Sequence, residues 1–568
     1  MHNPLPGLPH PRGKGDMSDT SRSRSVTAQS ISQPVPPSIS QSAAAAASQA
    51  ACHSAPLPTP RTHPSDSDLT ALVQDALPLL REWLPGQRWF AGKGRPIERI
   101  TPAAITPLPG ASPADEVLLL HLLLEVEQRG HDGVDGSTGT DLYQLLLGAR
   151  AQQPGEPANI ARAAVIGRIG GGPHDGLLIY DAAHDGALTH RLLRLLTGGE
   201  AQGTQVGPLR FNSLGGRSGL DGLDGFDRLG REPSRVGTAE QSNTSIVFDD
   251  SAILKLFRRV GPGLNPDLEL SLALSRAGST RVPATLAWYE GELPGGPGQP
   301  ATLGLLQRYL HGARDGWEFA LTHVRRLRAE PARRPHPADQ LTGNFSAESF
   351  LLGRSTAEIH LALARALPVT VLGRPEIEAL ADTMAMRLDA AALVVPALAP
   401  YRAPLHRIFR ALAASARDGG RLHAQRIHGD LHLGQSMRTG RGWVLLDFEG
   451  EPAKSLAERR RPQPAVRDVA AMLRSFDYAA AHLLTEVSAD DPQRPQLARL
   501  AAVWAQRNRE AFCAGYAAAG ADDPTADLVL LHALETDKAV YEVVYEARNR
   551  PDWLPIPMTA IARLAQSA

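Results

Sequence analysis

The chain of 568 residues carries 59 Lys+Arg against 60 Asp+Glu, a net charge of −1. This balance excludes the strong basic excess of a general nucleic-acid or membrane-surface binder. Two cysteines, Cys52 and Cys513, exclude a disulfide framework or a Cys-rich metal site and point to a reducing, cytoplasmic setting. The length allows about three to four units of roughly 150 residues, and no apolar run nears the ~18 residues of a membrane span.

Residues 1–66 are rich in Ser, Ala, Pro and Gln and nearly devoid of large apolar side chains. Such a segment cannot bury enough surface to offset its ordering entropy, so a disordered tail is expected, without a secretory signal and with Met17 as an alternative start. Leu69, Leu72, Val73, Leu77, Leu80 and Leu84 then follow a helical period; Ser65 to Asp68 supply capping groups and Pro85–Gly86 a stop. After RWFAGKGR at positions 88–95, the segments 116–127 and 141–147 read as strands, 177–181 as a strand and 188–196 as a helix. The GRIGGG run at 167–172 precedes no helix with a phosphate-binding lysine and reads as a plain loop. The Gly-rich stretch 198–235 reads as a linker.

A second block starts near Val236. Ser245–Phe248 and Ala252–Phe257 form a predicted hairpin across Asp249–Asp250–Ser251; Asn265 caps a helix at 268–274, and strands follow at 284–289 and 302–309. The remainder, 311–568, is mostly helical by its Leu/Ala spacing. Its Arg- and Pro-rich stretch 324–337 reads as a solvated loop, and 444–448 as a short strand.

The chemistry concentrates in IHGDLHLGQS, from Ile427, and LLDFEGE, from Leu445. Phosphoryl transfer needs a carboxylate to accept the nucleophile's proton and hard oxygen ligands for magnesium. Asp430, then Gln435 five residues on, then Asp447 after a turn and a strand fit that need. His428, Asp430 and His432 alternate, and on an extended strand they would share one face as a metal triad; a loop Asp among buried histidines is the plain alternative. Lys255 is alone in an apolar strand, where a kinase places the lysine that reaches the α/β-phosphates, and Glu269 on the next helix is the expected ion-pair partner. Ser242, Asn243 and Thr244 precede the first hairpin strand and could cover the phosphates with N–H and O–H groups.

These pieces, EQSNTSIVFDDSAILKLFRR, NPDLEL, HGDLHLGQ and LLDFEGEP, together with RWFAGKGR and the late YEVVYEARNRPDWLPIP, resemble the maltokinases, within the aminoglycoside-phosphotransferase-like branch of the protein-kinase fold. The resemblance runs from about Leu69 to Leu564. It implies an α+β, bilobal protein-kinase-like fold with an N-terminal α/β cap subdomain on the N-lobe and a mostly helical C-lobe. The units would be a tail (1–66), cap plus linker (67–235), N-lobe (236–310) and C-lobe (311–568). It implies transfer of the γ-phosphate of ATP to the anomeric hydroxyl of maltose, feeding α-glucan synthesis downstream of trehalose synthase, a possible partner. Glucosamine, another sugar or an aminoglycoside is the alternative acceptor, and a pseudokinase scaffold the alternative class. Monomer and homodimer both stay open.

Carried over by residue, Asp430 would be the base, Gln435 and Asp447 would hold Mg2+, and Lys255 would contact ATP with Glu269 as its partner. Ser242, Asn243 and Thr244 would form the phosphate-covering loop. Gln307, Tyr309 and Leu310 would lie at the adenine hinge. The sugar would meet His428, Tyr541, Glu542, Tyr545, Glu546, Asn549 and Trp553. The two Tyr and the two Glu are each spaced i,i+4, a pattern that helix packing also produces. Arg467–Asp468 would anchor the catalytic loop. There is no GxGxxG loop, Asp-Phe-Glu replaces Asp-Phe-Gly, and His-Gly-Asp replaces His-Arg-Asp; all three fit a small-molecule kinase without activation-loop control. The chain has five lysines, Lys14, Lys93, Lys255, Lys454 and Lys538, and the last four fall in or beside these motifs.

Overall fold

A computed structural model describes residues 65–110, 117–129, 138–151, 160–198, 204–214, 234–237, 242–293, 298, 300–329, 345–451 and 454–567. The expected tail, up to residue 64, lies outside them.

The cap opens with helix α1 (Asp66–Trp83). The Ser65 hydroxyl accepts from the Asp68 N–H and the Asp68 carboxylate accepts from the Ser65 N–H, so two otherwise orphaned donors are satisfied. Leu69, Leu72, Val73, Ala76 and Leu80 form its buried stripe. It packs on an antiparallel sheet of β1 (Ile97–Pro107), β2 (Leu118–Arg129), β3 (Thr138–Arg150), β4 (Val165–Arg168) and β5 (Leu178–Asp181), ordered β1-β2-β3-β5-β4. β1 was not among the expected strands. Its prolines are tolerated because it is an edge strand with one bonded neighbour. Helix α2 (Gly186–Thr197) covers the other face.

The N-lobe sheet comprises β6 (Thr204–Val206), β7 (Leu209–Ser213), β8 (Arg235–Val236), β9 (Thr244–Phe248), β10 (Ala252–Leu256), β12 (Thr285–Gly291) and β13 (Ala301–Arg308), in the order β6-β7-β12-β13-β10-β9-β8. β6 and β7 lie inside the stretch expected to be a linker. They are too short to show a clear period, yet Leu209 and Phe211 alternate inward and bring them into the core. The β9–β10 turn holds Asp249 and Asp250 at φ of +48° and +49°, a conformation that aspartate tolerates. Between β10 and helix α3 (Pro266–Arg276), β11 (Arg259–Val260) leaves this sheet and pairs with β3 of the cap.

The C-lobe is mainly helical, as expected. The segment 324–329, expected to be loop, instead ends helix α4 (Gly316–Ala329), whose Val324 and Leu327 are buried; 330–344 lie outside the described residues. Helices α5 (Phe345–Ala366), α6 (Arg374–Val394), α7 (Arg402–Arg417), α8 (Leu456–Arg459), α9 (Val466–Thr485), α10 (Arg494–Ala518), α11 (Leu528–Asn549) and α12 (Pro555–Gln566) follow, most of them around one large apolar core. Against this core lies the small sheet β14 (Arg314–Asp315), β17 (Ser436–Thr439) and β18 (Gly442–Leu445); β15 (Thr370–Leu372) pairs with β16 (Leu422–Ala424). The architecture is α+β and kinase-like, with a cap on its N-lobe. No helix among the described residues is long and apolar enough to cross a membrane.

Candidate active site

The loop bearing Asp430 hangs from one buried carboxylate. Asp468, in the first turn of α9, accepts from the N–H of His428 (2.8 Å) and of Gly429 (2.9 Å), and meets His360 Nε2 at 3.0 Å. The anchoring role expected of Asp468 is the one its contacts describe; Arg467 instead donates to Asp537. Gly429 has φ +82°, and a Cβ there would stand 3.3 Å from Gly450 Cα, so the Asp430 loop and the Asp-Phe-Glu-Gly segment approach backbone to backbone. His428 is 1% exposed and its Nε2 bonds Leu446 O at 2.7 Å, with the ring 4.8 Å from Phe448. It is a brace between the two segments rather than the sugar contact expected of it. The half-buried His432, whose imidazole burial pushes down to about 4, accepts from Gly434 N–H. Among the described residues the triad His428–Asp430–His432 does not form a metal-sized cluster.

Asp447 follows β18 with φ +61°, an uncommon conformation for a non-glycine residue and one that clusters at functional sites. Its Oδ2 accepts from Gln435 Nε2 at 3.1 Å, which brings together the two residues expected to hold magnesium. Glu449, two residues on, adds a third oxygen donor; Asp267, Asp447 and Glu449 have carboxylate oxygens within 4.8 Å of one another. Carboxylates and an amide oxygen are the hard donors that a divalent cation with phosphate ligands requires.

Lys255 occupies the centre of this group: its Nζ is 2.9 Å from Asp267, 2.6 Å from Asp447 and 2.7 Å from Glu449. Burial works to raise Asp447, but the ammonium outweighs it and holds that carboxyl below its usual value; burial prevails at Glu449, which is raised. The expected partner, Glu269, is not there. Residues two apart on a helix point about 200° away from each other, so Asp267 faces Lys255 while Glu269 faces the C-lobe and takes the buried Arg426 at 2.6 Å. Asp267 also accepts from Phe448 N–H at 3.1 Å, so one carboxylate ties the strand lysine to the Asp-Phe-Glu backbone. An acid near the start of the helix was the available signal, and two candidates in one turn made it ambiguous.

In the segment expected to cover the phosphates, Asn243 Nδ2 donates to Ser242 Oγ (3.2 Å) and Glu449 Oε1 (2.6 Å), while Thr244 begins β9 with its hydroxyl accepting from Arg258 Nε. Thr244 is therefore part of the scaffold, and Ser242 and Asn243 remain at the site. At the expected hinge, Gln307 donates to Ser271, and the Tyr309 N–H already bonds Ser251 O; Leu310 accepts from Ala313 N–H.

The late helix divides the expected sugar contacts. Tyr541 and Tyr545 stack, with centroids 6.3 Å apart. Glu542 is buried against Arg474 (2.8 Å), and Glu546 accepts from Tyr478 (3.0 Å) and Arg550 (2.6 Å). Both carboxylates point into the C-lobe, because positions 541 and 542 are 100° apart on the helix, and they serve packing rather than the sugar. Trp553 is held by Arg550, 4.5 Å from its ring, and by His482. Asn549 lines a cleft of about 1300 Å3 with Arg548, Ser242, Asn243, Glu449 and the cap's Lys93. The RWFAGKGR loop thus forms a wall of the site, and the tertiary structure gives Lys93 a location that its sequence context did not. Gln128 fixes this loop by donating to Gly92 O and Arg95 O, and a Cβ on Gly92 would collide with the Gln128 amide at 1.9 Å.

Residues 83–185 match the family model of the maltokinase N-terminal cap domain. A glucosamine kinase of Streptacidiphilus jiangxiensis is 32% identical over 340 residues, covering 57% of this chain and 72% of the relative. One of Mycolicibacterium smegmatis is 28% identical over 336 residues, covering 58% and 78%. In fold, the chain resembles a solved glucosamine kinase in complex with glucosamine, ADP and inorganic phosphate, with a TM-score of 0.56 at 21% identity over 85% of this chain and 98% of that one. By the matched cap and by the extent of its likeness to the first of these relatives, the chain belongs to the maltokinase-like kinases, in one family with that glucosamine kinase.

Proposed function

We propose that the protein transfers the γ-phosphate of ATP to the anomeric hydroxyl of maltose, with Asp430 as the base. The observation that carries this reading is the convergence of Lys255, Asp447, Gln435 and Glu449 on one another, with the loop of Asp430 packed backbone to backbone against the same Asp-Phe-Glu-Gly segment. Lys255 would bind the phosphates, and Ser242 and Asn243 would cover them. Gln435 and Asp447, joined by Glu449, would hold the magnesium ion, which when bound neutralises phosphate oxygens. Asp430 accepts the acceptor's proton as the sugar oxygen attacks phosphorus in line and the bond to the β,γ-bridging oxygen breaks. Tyr541, Tyr545 and Asn549 remain the groups able to meet sugar faces and hydroxyls, and Gln307 to Leu310 the adenine-side segment.

A neutral acceptor suits the charges. Glu542 and Glu546, which could have met an amine, are committed to arginines, while Lys93 and Arg548 line the cleft and Lys538 lies beside Asp430. The cap match supports maltose as well. The second reading, glucosamine, is favoured by the names of the relatives. ADP release measured side by side with maltose, glucosamine and an aminoglycoside separates them. Maltose-dependent turnover with phosphate on the anomeric carbon supports the proposal. Turnover with glucosamine alone replaces it, and turnover with none of the three removes the sugar-kinase reading.

A further inference from the structure

Lys538, in the middle of α11, projects to the catalytic loop from a helix over one hundred residues later in the chain. Its Nζ lies 3.3 Å from Asp430 Oδ1 and 3.3 Å from Glu451 Oε1, and 5.1 Å from the centroid of the Tyr541 ring. Glu451 is paired in turn with Lys454 at 2.5 Å. Signs therefore alternate along Asp430, Lys538, Glu451 and Lys454. The lysine is the joint between three parts that reach the site separately: the catalytic loop, the segment after Asp-Phe-Glu-Gly, and the late helix. Its side chain is 19% exposed, so these attractions act in a partly desolvated setting where they are stronger than at the surface. Burial works to lower the ammonium's pKa, but Asp430 and Glu451 more than offset it and raise it above its ordinary value. A solvent-facing lysine on a C-lobe helix would show none of these contacts.

We propose that Lys538 is the positioning residue of Asp430. It engages Oδ1 and so leaves Oδ2 to accept the hydrogen bond, and then the proton, of the sugar hydroxyl. The oxygen–phosphorus bond forms as the bond from the γ-phosphorus to the bridging oxygen breaks; ADP leaves with that electron pair, and the proton resides on Asp430. Through Glu451 the same ammonium sets the separation between the base and the Asp447 segment, and so between the acceptor hydroxyl and the phosphate. An ammonium fits this role better than a guanidinium: it is a compact point charge able to meet two carboxylates converging from different elements, whereas a planar fork imposes a bidentate geometry. In a chain whose basic residues are otherwise almost all arginine, a lysine stands here. The proposal rests on the kinase reading of Asp430.

A double-mutant cycle tests it, using the full-length protein, single-turnover transfer from γ-labelled ATP, and whichever acceptor the ADP-release comparison identifies. Lys538→Met is expected to lower kcat by about 100-fold, the cost of a base misplaced by about 1 Å, with ADP affinity by calorimetry unchanged within about twofold. In an Asp430→Asn background the same substitution is expected to change the rate by less than about threefold, since the group that it positions is already disabled. A merely structural lysine would lower the rate by the same factor in both backgrounds, and that result overturns the proposal, as does a Lys538→Met enzyme within threefold of wild type. If Lys538→Met does not fold, Lys538→Arg takes its place in the same cycle, with about a tenfold loss expected against wild type and none against Asp430→Asn. The two readings fail differently. A wild-type protein without acceptor-dependent turnover removes the kinase reading. An active wild type silenced by Asp430→Asn but indifferent to Lys538 removes only the positioning role.

Discussion

At the scale of single residues, the site is a contest over one lysine. Lys255 has three carboxylates within 2.9 Å, and the one contributed by α3 is Asp267, 2% exposed at its side chain. Removing the charge of Asp267 loosens both Lys255 and the Phe448 N–H that it accepts from. Asp267→Asn is therefore expected to lower kcat/KM for ATP by about 100-fold, while Glu269→Gln leaves kcat within about threefold and instead lowers stability by about 1–3 kcal/mol by stranding Arg426. Steady-state kinetics and thermal melts of the two variants check the pair, and the opposite ranking would restore Glu269 as the lysine's partner. Asp430→Asn is expected to cost about 10²–10⁴-fold in kcat with nucleotide affinity retained, measured by calorimetry beside turnover.

At the scale of elements, the late helices are latched by a buried carboxylate. Glu535 on α11, 1% exposed, accepts from Arg509 of α10 at 2.9 and 3.0 Å and from Arg563 of α12 at 2.5 Å. Burial opposes its ionisation, but Arg509 and Arg563 outweigh it and bring the carboxyl down to about 2, against an ordinary 4.5. A folded-state value below the unfolded one means a stabilisation fully present above about pH 4.5 and lost as the pH falls towards 2. Its size is roughly 3 kcal/mol. Glu535→Gln is expected to be less stable at pH 7 yet to lose less stability between pH 4.5 and 2.5 than the wild type, read from denaturant melts across that range. Parallel acid limbs would show that the latch contributes nothing.

At the scale of the whole molecule, cap and N-lobe share one apolar core and are expected to unfold as one body. Their apolar core is continuous, with Leu119, Leu146, Leu188 and Leu192 of the cap packed into the same cluster as Phe211, Ile246, Phe248 and Tyr289. Two buried polar side chains join them. Gln144 of β3 donates to Phe257 O at 2.8 Å and accepts from the Tyr289 hydroxyl at 2.8 Å. Arg258, 0% exposed, pairs with Asp181 at 2.5 Å, lies 4.8 Å from the Trp89 ring and donates to Thr244, the residue after Ser242 and Asn243. Neither side chain can lose its partners cheaply at that depth. Scanning calorimetry of Arg258→Met is expected to lower the melting temperature of the cap and N-lobe together, in one transition. A separate early transition for the cap would show two independent units. Because Thr244 leads directly into the phosphate-covering segment, the same variant is expected to raise KM for ATP by about tenfold.

Much of this was legible in the chain itself. The capped helix α1, the Asp249–Asp250 hairpin, the lone Lys255, and the spacing of Asp430, Gln435 and Asp447 are local patterns, set by helix and strand periods and by turn chemistry that neighbouring residues dictate among themselves. Asp468 as the loop anchor was equally readable. What local pattern left undecided was orientation. Asp267 and Glu269 are equally acidic and only two residues apart, and the pose of α3 against β10 decides which one meets Lys255. Glu542 and Glu546 share a spacing with Tyr541 and Tyr545, and only the packing of α11 against Arg474 and Tyr478 of α9 turns those acids inward. The placements of Lys93 in the cleft wall and Lys538 on Asp430 depend on segments far apart in sequence being brought together by burial of apolar surface. Sequence by itself determined which chemical groups the protein carries and the short-range geometry that presents them; the tertiary structure alone decided which charges meet, because a charge's partner is set by distance in the folded core and not by separation along the chain.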